Sequence, residues 1–135
     1  ETFIQENNTQ LQEWMLPLVG AFESTVSTCS HYAQTHEKAL KKGFQFYHFS
    51  LYKEKQPISS ITLSICNGNA RLDDVSTIPD FQGKGYGSRL VRLALFKAHE
   101  LGAQYCFLEA SDSGLSLYQK IGFQTLYKNK IYSAE

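Results

Sequence analysis

A turn suited to holding phosphate is written at Gln82-Gly83-Lys84-Gly85-Tyr86-Gly87-Ser88-Arg89. It follows an extended run that ends in Val75-Ser76-Thr77 and a break at Ile78-Pro79-Asp80. It opens an apolar-periodic stretch carrying Leu90, Val91, Ala94, Leu95, Ala98 and Leu101. Spacings of three and four put these side chains on one helical face, and Gly102 supplies the stop. A glycine-rich turn at a helix start leaves several N–H groups convergent and without helical partners. Together with the helix dipole they attract a phosphate.

Two familiar phosphate patterns are excluded. The Walker pattern requires Gly-Lys-Ser/Thr, but Gly83-Lys84 is followed by Gly85. The dinucleotide pattern requires a third glycine, but Ser88 or Leu90 stands where it would fall. The sequence instead satisfies Gln/Arg-x-x-G-x-G/A, as Gln82-x-x-Gly85-x-Gly87. Downstream, Leu117-Tyr118-Gln119-Lys120-Ile121-Gly122-Phe123 follows a strand-like segment at 104–109. Order, spacing and both motifs resemble the GNAT superfamily of N-acetyltransferases over about two thirds of the chain, roughly 44–132.

The resemblance implies an α/β (α+β) fold: a mixed, mostly antiparallel central sheet with a parallel pair at the cofactor cleft and flanking helices. It implies transfer of an acetyl group from acetyl-CoA to an amine by direct attack, the amine belonging to a small molecule or to a protein or peptide. A non-catalytic coenzyme A-binding or protein-interaction module of the same fold is the alternative. Gln82, Gly83, Lys84, Gly85, Tyr86, Gly87 and Ser88 would hold the pyrophosphate, while Lys84 and Arg89 either add charge there or are solvated. Val75, Ser76 and Thr77 match the strand end whose backbone pairs with pantetheine like an added strand. Tyr118 aligns with the tyrosine commonly assigned as general acid for the departing thiolate, a role that suits a phenol protonated at neutral pH. The general base is open among Asp73, Asp74 and Glu109, which lie on the two strands flanking the cleft. Strand alternation sends Asp73 and Asp74 to opposite faces. Glu109 ends a parallel strand, where ligands collect in open α/β sheets. A water relay is a further route.

Composition agrees with one domain, or with one piece of a longer chain, since the sequence begins at Glu1 rather than Met. The 135 residues are 42% hydrophobic and 19% charged, with a formal net charge of +0. A broad nucleic-acid surface is therefore not expected, and no apolar run approaches a membrane span. Cys29, Cys66 and Cys106 are odd in number and widely spaced, which argues for a reducing, cytoplasmic setting and against a metal site. Cys66 and Cys106 fall in strand patterns and read as buried thiols. Partners are acetyl-CoA and an amine, with a homodimer left open.

The positioning elements read as follows. Residues 2–5 suit a short edge strand. Thr9-x-x-Gln12 resembles a capping box ahead of the apolar stripe Leu11, Trp14, Met15, Leu18, Val19 and Phe22, with a kink or two short helices at Pro17. A second helix runs from caps at 27–30 to Lys42 and carries His31 and His36 on what reads as a solvated face. Trp14, Phe22, Tyr32 and Tyr47 either pack or line an apolar pocket. Strands follow at 44–53, 58–65 and 70–77, the last two joined by the hairpin signal Asn67-Gly68. Ser111 or Asp112 caps a helix that ends at Gly122, and 123–126 with 130–132 form a closing pair of strands.

Overall fold

A computed structural model describes residues 1–110, 114–125 and 131–134. Among the described residues seven strands form one sheet in the order β1-β2-β3-β4-β5-β7-β6. They are β1 (Thr2–Glu6), β2 (Gln45–Lys53), β3 (Gln56–Cys66), β4 (Asn69–Thr77), β5 (Tyr105–Glu109), β6 (Gln124–Thr125) and β7 (Ile131–Ala134). All pairings are antiparallel except β4–β5. The helix α4 (Tyr86–Glu100) makes the crossover that parallel pairing requires. The mixed sheet expected from the Asn67-Gly68 hairpin and the single crossover is therefore present.

The two faces of the sheet are covered by different helices. On one, Leu90, Val91, Ala94 and Ala98 of α4 pack on Phe49, Leu51, Ile58, Ile61, Leu63, Leu72 and Leu108, all buried. On the other lie α1 (Leu11–Trp14), α2 (Leu16–Ala21) and α3 (Val26–Lys41), with Leu11, Trp14, Met15, Leu18, Cys29 and Ala33 as their own core. Pro17 falls in the first turn of α2, where its missing N–H costs nothing, so the stripe divides into two short helices as expected. The fifth helix, α5 (Leu115–Ile121), precedes β6. Among the described residues no helix is long and apolar enough to cross a membrane.

Four local expectations are corrected. The Thr9 capping box does not form: α1 has Gln10 at its N-cap with no side-chain cap, the Gln10 N–H being held by the Asn7 carbonyl instead. The N-cap of α3 is Thr25, whose hydroxyl accepts from the Thr28 N–H at 3.1 Å. Cys66 is exposed, because β3 ends there at the hairpin, while Cys29 and Cys106 are buried. His36 is buried on α3 rather than solvated, because β2 brings His48 against it. The capping roles of Ser111 and Asp112 lie outside the described residues.

Candidate active site

The strand β4 changes character halfway along. From Asn69 to Leu72 it is paired on both sides, to β3 and to β5. The β3–β4 register then shifts between Ser60/Ser76 and Thr62/Asp73, leaving one extra residue on β4. Asp74 adopts φ +60 there, the left-handed region that Asp tolerates better than most residues. Such a bulge bends a strand away from its partner. Beyond it Ser76 and Thr77 still pair with β3, while the register with β5 runs only to Leu72/Leu108.

A groove of about 550 Å³ runs along this diverging edge. Val75, Ser76 and Thr77 line one side, and Gln82, Gly83, Gly85, Tyr86, Gly87 and Ser88 line another. Gly85 is the N-cap of α4 at φ +85, ψ 6, with no side-chain cap, and the first bond of the helix runs from the Arg89 N–H to the Gly85 carbonyl at 3.1 Å. The turn therefore presents its leading N–H groups to the groove. At Gly87 a Cβ would stand in ordinary contact, 3.4 Å from Thr77 Oγ1 and 4.0 Å from Val75 Cγ1, so a side chain larger than methyl would be directed against the end of β4. Gln82 ties the turn to the strand, its Nε2 donating to the Thr77 carbonyl at 2.9 Å. Neither cation of the turn lines the groove itself, although Lys84 covers a ring that does. Lys84 stands over the Phe81 ring at 5.7 Å, and Arg89 donates to Thr2 Oγ1 at 2.9 Å.

A second pocket, about 250 Å³, opens where β4 and β5 part. It is lined by Arg71, Leu72, Asp73, Asp74, Leu108 and Glu109, and it shares Phe22, Val75 and Tyr118 with the groove. Tyr118, buried at 8% exposure, thus stands where the two cavities meet. Burial raises its pKa, which keeps the phenol protonated. Phe22, read from the sequence either as part of the packing stripe or as pocket lining, is 56% exposed and forms the lip of both cavities. Its position past the end of α2 carries it off the buried face, which neither periodicity nor composition reveals.

The three carboxylates have different partners. Asp73 pairs with Arg71 Nε at 3.0 Å, and Arg71 Nη2 reaches Glu109 Oε1 at 3.5 Å, all three side chains being substantially exposed. Asp74 accepts from the Tyr32 hydroxyl at 2.8 and 3.0 Å and from Thr62 Oγ1 at 2.9 Å. Burial raises its pKa against the opposing pull of these two donors. Asp73 lies directly opposite Thr62 in the register, so both aspartates face Thr62 and both line the pocket. The opposite-face expectation fails because the bulge interrupts the two-residue alternation.

Behind Tyr32 lies a buried polar cluster that the sequence did not announce. Asn8 Oδ1 accepts from the His48 N–H at 2.9 Å and from His48 Nδ1 at 2.8 Å. The proton is thereby assigned to Nδ1, leaving Nε2 to accept from His36 Nδ1 at 2.8 Å. Burial lowers the pKa of both rings, and that of His48 to about 3. Tyr32 packs edge-on against His36 with centroids 4.4 Å apart and stacks on Trp14 at 6.0 Å.

Comparison with known proteins agrees with this architecture. The sequence pattern described as the acetyltransferase (GNAT) family matches residues 10–123. A ribosomal protein bS18-alanine N-acetyltransferase of Haemophilus influenzae is 30% identical over 93 residues, covering 67% of this chain and 64% of that protein. The chain spans between 33% and 64% of the length of the curated relatives it matches. The PaiA N-acetyltransferase of Thermoplasma acidophilum, solved with coenzyme A, has a TM-score of 0.78 at 16% identity over 100% of this chain and 99% of its own. A GNAT-family acetyltransferase of Brucella melitensis, solved with acetyl-CoA, has a TM-score of 0.77 at 19% identity over 98% and 86%. The glycine turn, the parted strands and a family match over most of the sequence lead to one assignment: the chain belongs to the acetyltransferase (GNAT) family.

Proposed function

We propose that this chain transfers an acetyl group from acetyl-CoA to an amine. The observation that carries the reading is the meeting of a backbone-lined groove and a small charged pocket at one buried phenol, Tyr118. The groove accommodates a pantetheine arm along Val75, Ser76 and Thr77, pairing through main-chain groups as an added strand does. The pyrophosphate rests on the N–H groups of the Gly83–Ser88 turn. The thioester then lies between Tyr118 and the second pocket, where the amine is received.

The reaction needs the thioester held, its oxyanion stabilised and two protons moved. Tyr118 donates to the departing thiolate. One of Asp73, Asp74 and Glu109 receives the proton that the amine loses. The acceptor is an amine of a small molecule or of a protein or peptide, consistent with the ribosomal protein bS18 alanine named for the Haemophilus influenzae relative. Near-neutral charge and three free cysteines support a reducing, cytoplasmic setting with no nucleic-acid partner. A homodimer is compatible with this reading.

Thiol release from acetyl-CoA over a panel of amines, including peptides with N-terminal alanine, tests the proposal, with calorimetry for acetyl-CoA binding alongside. Amine-dependent thiol release is expected. Tight acetyl-CoA binding with no transfer to any amine would point to a binding module instead.

A further inference from the structure

We infer that Asp74, of the three carboxylates in the pocket, is the base that takes the proton from the acceptor nitrogen, and that Tyr32 is the residue that positions it. The inference rests on the acetyltransferase reading and names a group within that site.

The geometry separates the candidates. Asp73 and Glu109 share a single guanidinium, Arg71, at 3.0 and 3.5 Å, and are 38% and 60% exposed. A carboxylate facing water and paired with a surface cation has its oxygens engaged by that cation and by solvent and is not fixed in one orientation. Asp74 is set on a fixed backbone kink at φ +60 and clamped by donors from two other elements, Tyr32 on α3 and Thr62 on β3. Tyr32 is in turn fixed between Trp14 and His36, and Trp14 is anchored to the sheet by its Nε1 donating to the Ile61 carbonyl at 3.2 Å. Two donors, the Tyr32 hydroxyl shared between both oxygens and Thr62 Oγ1, leave lone pairs on the carboxylate for one more donor, which the acceptor N–H supplies. A base held in place by locked neighbours, with a lone pair open to the acceptor, is what proton abstraction needs. Burial supports this by raising the Asp74 pKa.

The proton balance closes. The neutral amine attacks the acetyl carbon, a C–N bond forms and the carbonyl becomes an oxyanion. Asp74 takes one N–H proton. Collapse of the oxyanion breaks the C–S bond, and the thiolate takes the proton of Tyr118. Solvent reprotonates Tyr118 while Asp74 releases its proton to solvent. Amine and thioester have become amide and thiol with no net proton change.

The test is the pH profile of kcat for the full chain with one accepted amine. Groups facing Asp74 are Tyr32 and His36 from α3, Thr62 from β3, Asp73 and Arg71 on β4, Glu109 from β5 and Tyr118 from α5. Asp74 is active as the carboxylate, so kcat falls on the acid side through its pKa. Asp74→Asn, which suits the φ of the bulge, is expected to lower kcat by roughly 10²-fold or more. It should leave acetyl-CoA affinity in place, which also reports folding. Tyr32→Phe removes one of the donors that hold the pKa down, so its acid limb moves to higher pH, with a smaller loss at the plateau. Asp73→Asn and Glu109→Gln keep the wild-type limb. Near-wild-type kcat in Asp74→Asn with chemistry rate-limiting, or an acid limb that vanishes in Glu109→Gln or Asp73→Asn, overturns the assignment. An unmoved limb in Tyr32→Phe removes the positioning role. A wild type that turns over no amine overturns the acetyltransferase reading, and this assignment with it, before any variant is compared.

Discussion

The larger cavity presents the glycine turn and the end of β4 with aromatic side chains and no charged one, whereas the smaller one presents three carboxylates and a guanidinium, and among the described residues they share Phe22, Val75 and Tyr118. Main-chain N–H and C=O groups do not change with side-chain substitution, so a groove built from them suits one ligand held the same way each time. A pocket built mainly from side chains on β4 and β5 can be retuned residue by residue without disturbing the groove. The bulge at Asp74 separates the two: before it β4 has a partner on each side, after it one edge faces the groove. A single extra residue thus makes both cavities.

The sharpest way to break this division is at the shared wall. Replacing Tyr118 by Phe removes one oxygen and keeps the buried ring, which packs on Phe123 with centroids 6.0 Å apart. If the phenol acts on the leaving thiolate, kcat falls by roughly 10²-fold or more while acetyl-CoA affinity is nearly unchanged. The loss should soften for a thioester whose thiol leaves more easily. Wild-type turnover, with chemistry shown to be rate-limiting, would return Tyr118 to a packing role.

A smaller effect is expected at the glycines, and it should fall on the groove alone. Gly85→Val forces a branched residue to φ +85, at a cost of about 1–2 kcal/mol, equivalent to roughly a tenfold loss of acetyl-CoA affinity if the turn reshapes to escape it. Gly87→Val acts by crowding Thr77 Oγ1 and Val75 Cγ1 and should weaken binding to a similar degree. Calorimetry with acetyl-CoA measures both. Unchanged affinity in the two variants would remove the phosphate from this turn.

The same contrast explains how far the sequence could be read. Gln82-x-x-Gly85-x-Gly87 was legible because glycine announces backbone that must turn left-handed or come close, and the helix after it has clean periodicity. The meander and crossover were legible from Asn67-Gly68 and the alternation of β3. The smaller pocket was not. Its decisive feature is a bulge centred on an aspartate, and alternation rules assume no bulge. The partnership of His36 with His48 joins α3 to β2 across twelve positions and leaves no periodic trace. Thr9 had the right type and spacing for a cap, but the chain turned through Asn7 first, so tertiary bonding overrode a local signal. Leu117, Tyr118 and Glu109 line the two cavities, while the bonding that distinguishes Asp74 from its neighbours is tertiary, joining β4 to α3 and β3, and leaves no local signal.

The wall behind the smaller pocket should also be the acid-sensitive part of the fold. His36 and His48 are held neutral, and the pKa of His48 lies near 3 against about 6.5 in an unfolded chain. Below pH 6.5 the unfolded state binds more protons at these rings, so stability is full above that pH and declines as pH falls toward 3. Each depressed histidine contributes a slope of at most about 1.4 kcal/mol per pH unit in that window. Urea midpoints at pH 7.5 and pH 5.5 check it. Exchange protection should be lost first on α3 and around His48, with the α4 core retained longer. Equal loss on both faces of the sheet would erase the distinction.

The gentlest probe is Arg71, which touches only the pocket. Its two ion pairs are solvent-exposed, so each is worth about 0–1 kcal/mol and fold stability should shift by less than about 0.5 kcal/mol on Arg71→Gln. What changes is the charge balance: Asp73 and Glu109 lose their common cation, and the pocket becomes more negative. KM for a cationic amine should fall a few-fold, since the acceptor ammonium replaces the guanidinium, whereas KM for an acceptor carrying a nearby carboxylate should rise. Both shifts should shrink with added salt, because charges open to water are screened over about 10 Å at 0.1 M. The KM for acetyl-CoA should stay where it is, since no atom of Arg71 lines the groove. Measuring both KM values at two ionic strengths gives the answer. An acetyl-CoA KM that moves as far as the acceptor KM would mean that the two cavities are one electrostatic unit, and that the separation drawn at Tyr118 does not hold.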